Sequence, residues 1–465
     1  MKIGLEIHCQ LTTQTKMFCG CRNEFVKEPN TLTCETCLGM PGSKPRINRK
    51  AVEYGMKIAL ALNCKMPKET YFSRKSYFYP DLSKNYQITQ YDIPLAQGGW
   101  LKIGDKRIEI RRINLEEDPA RLVHIGTSGD VSRSGVSDYV LVDYNRSGVP
   151  LCEIVTEPDF VDAKEVRIFL DKLGSILQYL GVFDPNIEGS MRVDANISVK
   201  KERVEVKNIT GFRDVEKALN YEAVRQNYML RHGRKITRET RGWDPISGTT
   251  KSLRTKEEEE DYGYIFEPDL VKLTLDAAKI EALRGQLPEF AEQKVTRYKR
   301  EMKLTQEIAE SIASEPDLAD MFEKVAKKVE AQLAARWFAG EIKKTLNFNT
   351  LRISESELTE EGLVKLLKLV ESKIMTERSA ELLLREMVVR PTDPERSLLT
   401  RKRIYDEHVL EAAVKQTMAE NASAVMDYKA GKAEAFNFLV GQVMRKTEGR
   451  GDPETIRKVL LKHLG

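Results

Sequence analysis

Up to about residue 270, apolar and polar residues alternate with a period of two, the mark of half-buried strands. At the start, Ile3, Leu5 and Ile7 point one way while Glu6 and His8 point the other. Arg107-Ile108-Glu109-Ile110-Arg111 repeats the pattern. Residues 139–143, a turn at 145–150 and residues 151–155 read as a hairpin, and 188–206 as a further strand pair around 193–199. Helical spacing interrupts the strands at 49–62 and 163–180.

Beyond Leu287-Pro288 the period becomes helical. Thr305 caps a helix carrying Ile308 and Ile312 on one face, and Pro316 opens another with Leu318, Phe322, Val325 and Val329 aligned. Leu363, Leu366, Leu367, Val370 and Ile374 form a third stripe, and Arg390-Pro391-Thr392-Asp393-Pro394 breaks the run before a last helical unit. The pattern predicts an α+β fold. A largely antiparallel sheet with helices fills a domain at 1–287, followed by an all-α domain at 288–391 and a tail domain at 392–465.

A chain of 465 residues is too long for one core, which agrees with two or three domains. With 75 bases against 71 acids, the net charge of +4 does not by itself imply nucleic-acid binding. No apolar run approaches the ~20 residues needed to cross a bilayer, and no secretory leader is expected, so a cytoplasmic location without membrane contact is the expectation.

All seven cysteines fall in the first 152 residues. Cys19-Gly20-Cys21 and Cys34-Glu35-Thr36-Cys37 have the spacing of a tetrahedral zinc knuckle, with Gly20 relieving the tighter pair. Four thiolates leave no open position, so the zinc is expected to be structural. Cys9, Cys64 and Cys152 read as ordinary buried thiols.

The chain has no phosphate-binding loop of the G-x-x-x-x-G-K-[ST] kind, no dinucleotide fingerprint and no G-x-S-x-G elbow. It has acids in strand contexts instead. Glu153 shares a face with Leu151 and Val155, an arrangement that is costly unless the carboxylate is paired, protonated or bound to a cation. Glu116, Glu117 and Asp118 meet at a turn, and Asp194 and Asn196 share a strand face. Acids from separate strands with one histidine suit a hard divalent cation. A solvated acid run with Glu153 bridged to an arginine fits the same pattern.

The succession GLEIH, the two cysteine pairs, LGMPGSKPRIN, RKSYFYPDLSKNYQITQYD, LEEDPAR, VDYNRSGVPLCEIVTEPD and RVDANIS resembles the GatB family, the B subunits of the tRNA-dependent amidotransferases. The resemblance covers nearly the whole chain, ending in GQVMRKTEGRGDPETIRKVLLKHL, which is similar to a YqeY-type tail. It implies that the first domain is a cradle in which ATP phosphorylates the side-chain carboxylate of Glu-tRNA(Gln) or Asp-tRNA(Asn), after which ammonia displaces phosphate. By motif, His8, Glu117 and Glu153 correspond to Mg²⁺ ligands, with Glu6 and Asp194 beside them. Lys75 is expected near phosphate or the substrate carboxylate. Tyr77, Phe78 and Tyr79 pack against the tRNA's terminal adenosine or enter the core, with at least one in the core. Tyr79 and Arg146 are expected at the nucleotide or substrate, with an Arg146–Asp143 ion pair as the alternative.

The cysteines Cys19, Cys21, Cys34 and Cys37 match the zinc-containing branch. Asp261 to Asp269 reads DYGYIFEPD, without the arginine that relatives carry in DYRYFPEPD. Arg445, Lys446 and Arg450 of the tail are expected to meet tRNA phosphates. The chain shows neither a Ser-Ser-Lys amidase signature nor a cysteine glutaminase site, which implies an amidase partner (GatA-like) as the ammonia source, together with a small belt subunit (GatC-like). The alternative is a zinc-bearing tRNA adaptor without chemistry of its own.

Overall fold

The computed structural model describes residues 1–126, 138–187, 189–255 and 263–465. Glu188, Asp261 and Tyr262, which the sequence patterns include, lie outside the described residues. The chain forms two compact units, Met1–Glu289 and Phe290–Gly465.

The first unit holds fifteen described strands: β1 (Lys2–Gln10), β2 (Glu69–Thr70), β3 (Ser73–Ser76), β4 (Tyr86–Thr89), β5 (Ala96–Ile103), β6 (Lys106–Glu117), β7 (Arg121–Ile125), β8 (Tyr139–Asp143), β9 (Pro150–Thr156), β10 (Met191–Ser198), β11 (Val204–Thr210), β12 (Glu239–Asp244), β13 (Thr249–Thr255), β14 (Gly263–Phe266) and β15 (Leu273–Thr274). Eight of them build one sheet in the order β13-β12-β11-β10-β1-β9-β6-β5. Every neighbouring pair in it is antiparallel except β11 and β12. The fold class is α+β, as the alternation predicts.

The hairpin expected from 139–155 does not form. β8 pairs with β7 in a separate ribbon, while β9 runs between β1 and β6. The cause is burial. All seven residues of β9 are buried, whereas Tyr139 and Leu141 of β8 are exposed, so the two strands cannot share one environment. The turn between them is held elsewhere, with Asn145 accepting from the Leu32 amide and Arg146 donating to the Pro119 and Ala120 carbonyls.

One face of the large sheet is apolar. It carries Ile3, Leu5, Ile7, Ile113, Leu115, Ile154, Val193, Ala195 and Ile197, all buried. Helices α1 (Arg49–Ala61), α2 (Ala163–Tyr179) and α3 (Phe212–Arg231) pack on sheet strands. Asn48 and Asp162 cap the first two, accepting from backbone amides of the first turn. In α2, Val166, Phe169, Leu170, Leu173 and Leu177 form the buried stripe, each such side chain contributing about 1.5–3 kcal/mol. α1 lies close because Gly55 has no side chain; a Cβ there would come within 2.6 Å of Leu95. At the far edge, the fully buried Glu222 of α3 receives Arg225 at 2.9 Å and Arg241 at 3.1 Å and so fixes the β12–β13 hairpin. The other face of the sheet is polar.

The second unit is helical. Its larger core surrounds Tyr298, Phe322 and Phe338, whose rings meet edge-on at 5.3 and 5.5 Å. A separate cluster joins Leu410, Val414, Leu439, Val443, Ile456 and Leu460. Thr305 and Pro316 start helices Gln306–Ala313 and Pro316–Ala326 as expected. The expected stripe to Ile374 is shorter, because its helix (Glu360–Glu371) stops before Lys373, which turns to φ +57°, and Ile374 is exposed. The helix Glu377–Val389 ends at Arg390, before Pro391. Among the described residues no helix is long and apolar enough to cross a membrane.

Two outcomes follow from this packing. Gly99 of β5 lies against Leu62 and Cys64, where an added Cβ would collide with the Leu62 carbonyl oxygen and come within 2.8 Å of the Cys64 nitrogen. Gly99→Ala is therefore expected to cost about 1–3 kcal/mol in chemical denaturation. In the second unit, burial would raise the Glu323 carboxyl, but hydrogen bonds from Lys294, Tyr298 and Arg297 bring it down to about 2. Its stabilising contribution is complete above pH ~4.5 and lost as pH falls towards 2. Glu323→Gln is expected to lower the melting temperature at pH 7 and flatten its pH dependence across that window.

Candidate functional site

The polar face of the sheet concentrates acids because the strand register brings them together. Glu6 stands opposite Asp194, His8 opposite both Arg192 and Glu153, and Glu153 opposite Asn114. Side chains of directly opposite residues share a face, so four strands aim these groups into one space. His8 Nε2 lies 3.4 Å from Glu116, 3.9 Å from Glu6 and 4.0 Å from Glu153. Glu6, His8 and Glu153 each offer a ligand atom within 4.8 Å of the others, a grouping able to hold a metal ion.

The three consecutive acids at the end of β6 are not solvated; all are buried, and each has a different partner. Glu116 turns to His8 and accepts from Thr89 at 3.2 Å. Glu117 is taken by the Lys84 ammonium and by the Ile88 amide at 2.9 Å. Asp118 receives Arg192 at 2.8 and 3.1 Å and Gln10 at 2.9 Å, tying three strands together. The sequence expectation grouped Glu117 with His8 and Glu153. The structure brings Glu116 there instead, because successive residues of a strand point to opposite sides.

Electrostatics within the cluster are strained. Burial raises the Glu153 carboxyl well above the usual range, and the neighbouring charges of Glu6 and Glu116 push it further up. Burial would raise Glu6 as well, but His8, a hydrogen bond from Glu153, Lys207 and Lys75 bring it down to about 2. The two neighbouring carboxyls are thus pushed in opposite directions, Glu153 up and Glu6 down. Asn114 donates to Glu153 at 2.7 Å while its own buried carbonyl oxygen has no partner, and the same holds for the carbonyl oxygen of Asn196. Orphaned acceptors beside clustered carboxyls fit an added cation.

A cleft of about 620 Å³ opens over Glu6, Glu153 and Glu205. Lys75, Arg111, Arg112 and Lys207 line it, as do the exposed Lys200, Lys201 and Arg203 between β10 and β11. Asp194 is buried at the cluster's edge with Lys207 Nζ at 3.3 Å. Burial opposes the Lys207 charge, yet Asp194, Glu205 and Glu6 hold its pKa above the ordinary value. A positively lined cleft with an acidic floor suits a polyphosphate carrying a divalent cation.

Sequence reasoning missed Asn114, Arg112, Lys207 and the 200–203 cations, and did not separate Glu116 from its neighbours in the acid run. Lys207 alternates with Val204 and Val206 and was legible as a polar-face residue. The fate of Glu116 depended on partners distant in sequence.

Of the remaining expected site residues, Lys75 lines the cleft and sits 5.8 Å from the Tyr77 ring. None of the three aromatics enters the core. Tyr77 is half-buried, Tyr79 is exposed and Phe78 is 83% exposed, while Leu82 of the same 77–85 loop turns inward. Arg146 pairs with neither Asp143 nor the acid cluster; it is spent on the Pro119 and Ala120 carbonyls and lies 3.8 Å from Asp118.

In the second unit, Arg445 is exposed and Lys446 pairs with Glu420 at 2.8 Å. Arg450 bonds the Thr447 carbonyl at 3.4 Å in a turn where Glu448 and Gly449 both take positive φ.

The thiols of Cys19, Cys21, Cys34 and Cys37 lie within 4.8 Å of one another, compatible with one zinc ion. A hydrogen bond from Cys19, one from the Cys34 amide and the Lys16 ammonium hold the Cys37 thiol at about 5 against its burial. Lys16 is wholly buried, donating to the Leu32 carbonyl at 2.7 Å and standing 3.8 Å from Cys37 Sγ. A buried cation beside Cys37 offsets part of the net negative charge that a tetrathiolate zinc complex carries.

Comparison with known proteins agrees with this arrangement. Residues 1–281 match the GatB/GatE catalytic domain and residues 320–464 a GatB domain. The B subunit of the aspartyl/glutamyl-tRNA(Asn/Gln) amidotransferase of Methanospirillum hungatei is 47% identical over 98% of this chain and 97% of the relative. Proteins of the same name from Thermotoga neapolitana (44%, covering 99% of this chain and 98% of the relative) and Saccharolobus solfataricus (42%, covering 100% and 99%) are similar at full length. The chain belongs to the GatB/GatE family.

Proposed function

We propose that this chain is the component of a tRNA-dependent amidotransferase that activates the side-chain carboxylate of Glu-tRNA(Gln), Asp-tRNA(Asn) or both with ATP, and on which ammonia then completes the amide. The observation that carries the reading is the convergence of Glu6, His8, Glu116 and Glu153 beneath a cleft lined with cations.

A carboxylate resists ammonia until one of its oxygens becomes a better leaving group. In the first step a carboxylate oxygen attacks the γ-phosphorus of ATP and ADP departs. In the second, ammonia adds to the acyl carbon, phosphate departs, and the nitrogen gives up a proton. Both reactants of the first step are anions, so charge compensation decides the rate. Lys75, Arg112 and Lys207 are placed to hold phosphate and carboxylate oxygens over the floor of the cleft. Glu6, His8, Glu116 and Glu153 would hold Mg²⁺, with Asn114 orienting Glu153 and Asp194 orienting Lys207. A bound Mg²⁺ supplies charge neutralisation at the phosphates. The zinc knuckle takes no part in either step and is structural. The sequence carries neither a Ser-Ser-Lys amidase signature nor a cysteine glutaminase site, which supports a GatA-like amidase as the ammonia source and a GatC-like belt subunit beside it. Arg445, Lys446 and Arg450 contact tRNA phosphates.

The alternative, a tRNA adaptor without chemistry, separates cleanly by experiment. In the reconstituted complex, Glu153→Gln keeps the volume of the side chain but removes its ability to become an anion. ADP formation dependent on misacylated tRNA is expected to fall at least about 100-fold with tRNA binding retained; an adaptor would keep full activity. Arg445→Glu combined with Arg450→Glu is expected to weaken tRNA binding and make the salt slope shallower by about one for each phosphate no longer neutralised, while ATP affinity stays unchanged.

A further inference from the structure

The cysteine knuckle and the acid cluster are joined by an unbroken run of contacts. The Cys37 carbonyl accepts from Ser83 Oγ at 2.8 Å and from Ser147 Oγ at 3.2 Å, so one zinc-knuckle residue holds two loops. Two residues on, Gly39 at φ +67° lies so close to the next residue of the first loop that a Cβ would stand 3.1 Å from Lys84 Cα. Only glycine allows that approach. Lys84 then reaches inward, and its ammonium pairs with the buried carboxylate of Glu117. The same carboxylate accepts from the Ile88 amide at 2.9 Å, and Gln87 donates to the Glu117 carbonyl at 2.7 Å. Glu117 is therefore fixed on three sides. Its neighbour Glu116 is aimed the other way, 3.4 Å from His8.

We propose that the zinc knuckle sets the aim of Glu116 in the acid cluster through Lys84, which makes Lys84 a positioning residue for the divalent cation. This rests on reading the Glu6–His8–Glu116–Glu153 cluster as a cation site. The route has a physical rationale. The pairing of β5 with β6 stops at Ile113, so among the described residues the last part of β6 has a ladder partner, β9, on one side only. A strand that rotates by one residue exchanges Glu116 for Glu117. The Lys84–Glu117 pair blocks that exchange because it is buried; the Lys84 side chain is 9% exposed and that of Glu117 5%. A buried ammonium holds its carboxylate firmly, since separating them leaves two uncompensated charges. The knuckle in turn holds Lys84 in place by packing on its backbone and bonding its neighbour.

The experiment uses full-length protein and two readouts, Mn²⁺ affinity by electron paramagnetic resonance and hydrogen exchange across residues 83–90 and 113–118. Lys84→Met is expected to retain its zinc and weaken Mn²⁺ binding about tenfold, with Lys84→Arg restoring most of the affinity. Removing zinc from the wild type under reducing conditions is expected to speed exchange in both segments and weaken Mn²⁺ to a similar degree. Removing it from Lys84→Met should weaken Mn²⁺ little further. If Lys84→Met does not fold, Ser83→Ala, which removes one hydroxyl, is expected to shift both readouts the same way. Wild-type Mn²⁺ affinity in zinc-loaded Lys84→Met, or unchanged exchange in both segments after zinc removal, would overturn the proposal. Absence of Mn²⁺ binding by the wild type would instead remove the cation reading, and the exchange result alone would then decide the coupling.

Discussion

Two carboxyl groups, Glu6 and Glu153, sit side by side under the cleft, close enough that a proton or a cation between them relieves their repulsion. Much of the first unit can be understood from this constraint. The carboxyls come from β1 and β9, so the two strands must be adjacent and in the register that places His8 against Glu153. Lys207, Lys75 and Arg112 line the same cleft, with Arg112 3.7 Å from Glu153, and Asn114 takes one oxygen of Glu153 while leaving its own acceptor open. A divalent cation in place of the proton would relieve the same conflict. The cluster can hold together on a shared proton and still has a use for the ion.

The two ends of the site were unequally legible in the sequence. Glu6 and His8 could be assigned to one face because their neighbours Ile3, Leu5 and Ile7 are apolar and the strand is regular. Glu153 was conspicuous as a carboxyl between Leu151 and Val155. The run Glu116-Glu117-Asp118 carried no such information. Which of the three faces His8 depends on where Lys84, Thr89 and Arg192 arrive, and those belong to other strands and loops. The same limit explains the failed hairpin at 139–155. Local turn chemistry favoured pairing across Asn145 to Pro150, but β9 is buried throughout and is needed at the centre of a sheet, which no local pattern expresses. The exposed aromatics Phe78 and Tyr79 belong to the same class, since hydrophobicity alone argues for burial, whereas it is Leu82 of their loop that is buried.

The helical unit was easier to read because its information is local. Thr305, Pro316 and the Arg390-Pro391 break act within a turn or two of themselves, and the stripes around Phe322 and Leu367 follow from spacing alone. Even so, nothing in the local pattern hints that Glu323 gathers Lys294, Arg297 and Tyr298 from a neighbouring helix. Arg450 is likewise explained by its turn, where the backbone conformation of Glu448 and Gly449 orients the chain between two helices.

The position of β1 at the heart of the sheet has a consequence for the order of assembly. Its two neighbours, β9 and β10, begin only about 140 and about 180 residues after it ends. At about 5–20 residues per second, a ribosome takes roughly 7–30 s to deliver the first of them. Through that interval Ile3, Leu5 and Ile7 have no partner strand and remain exposed to chaperones or to other nascent chains. Glu6 and His8 of the site thus begin on a strand whose apolar face is unpaired early in synthesis. Because the same two strands both cover β1 and bring Glu153 and Asp194 into place, the segment is protected in the same event that creates the site.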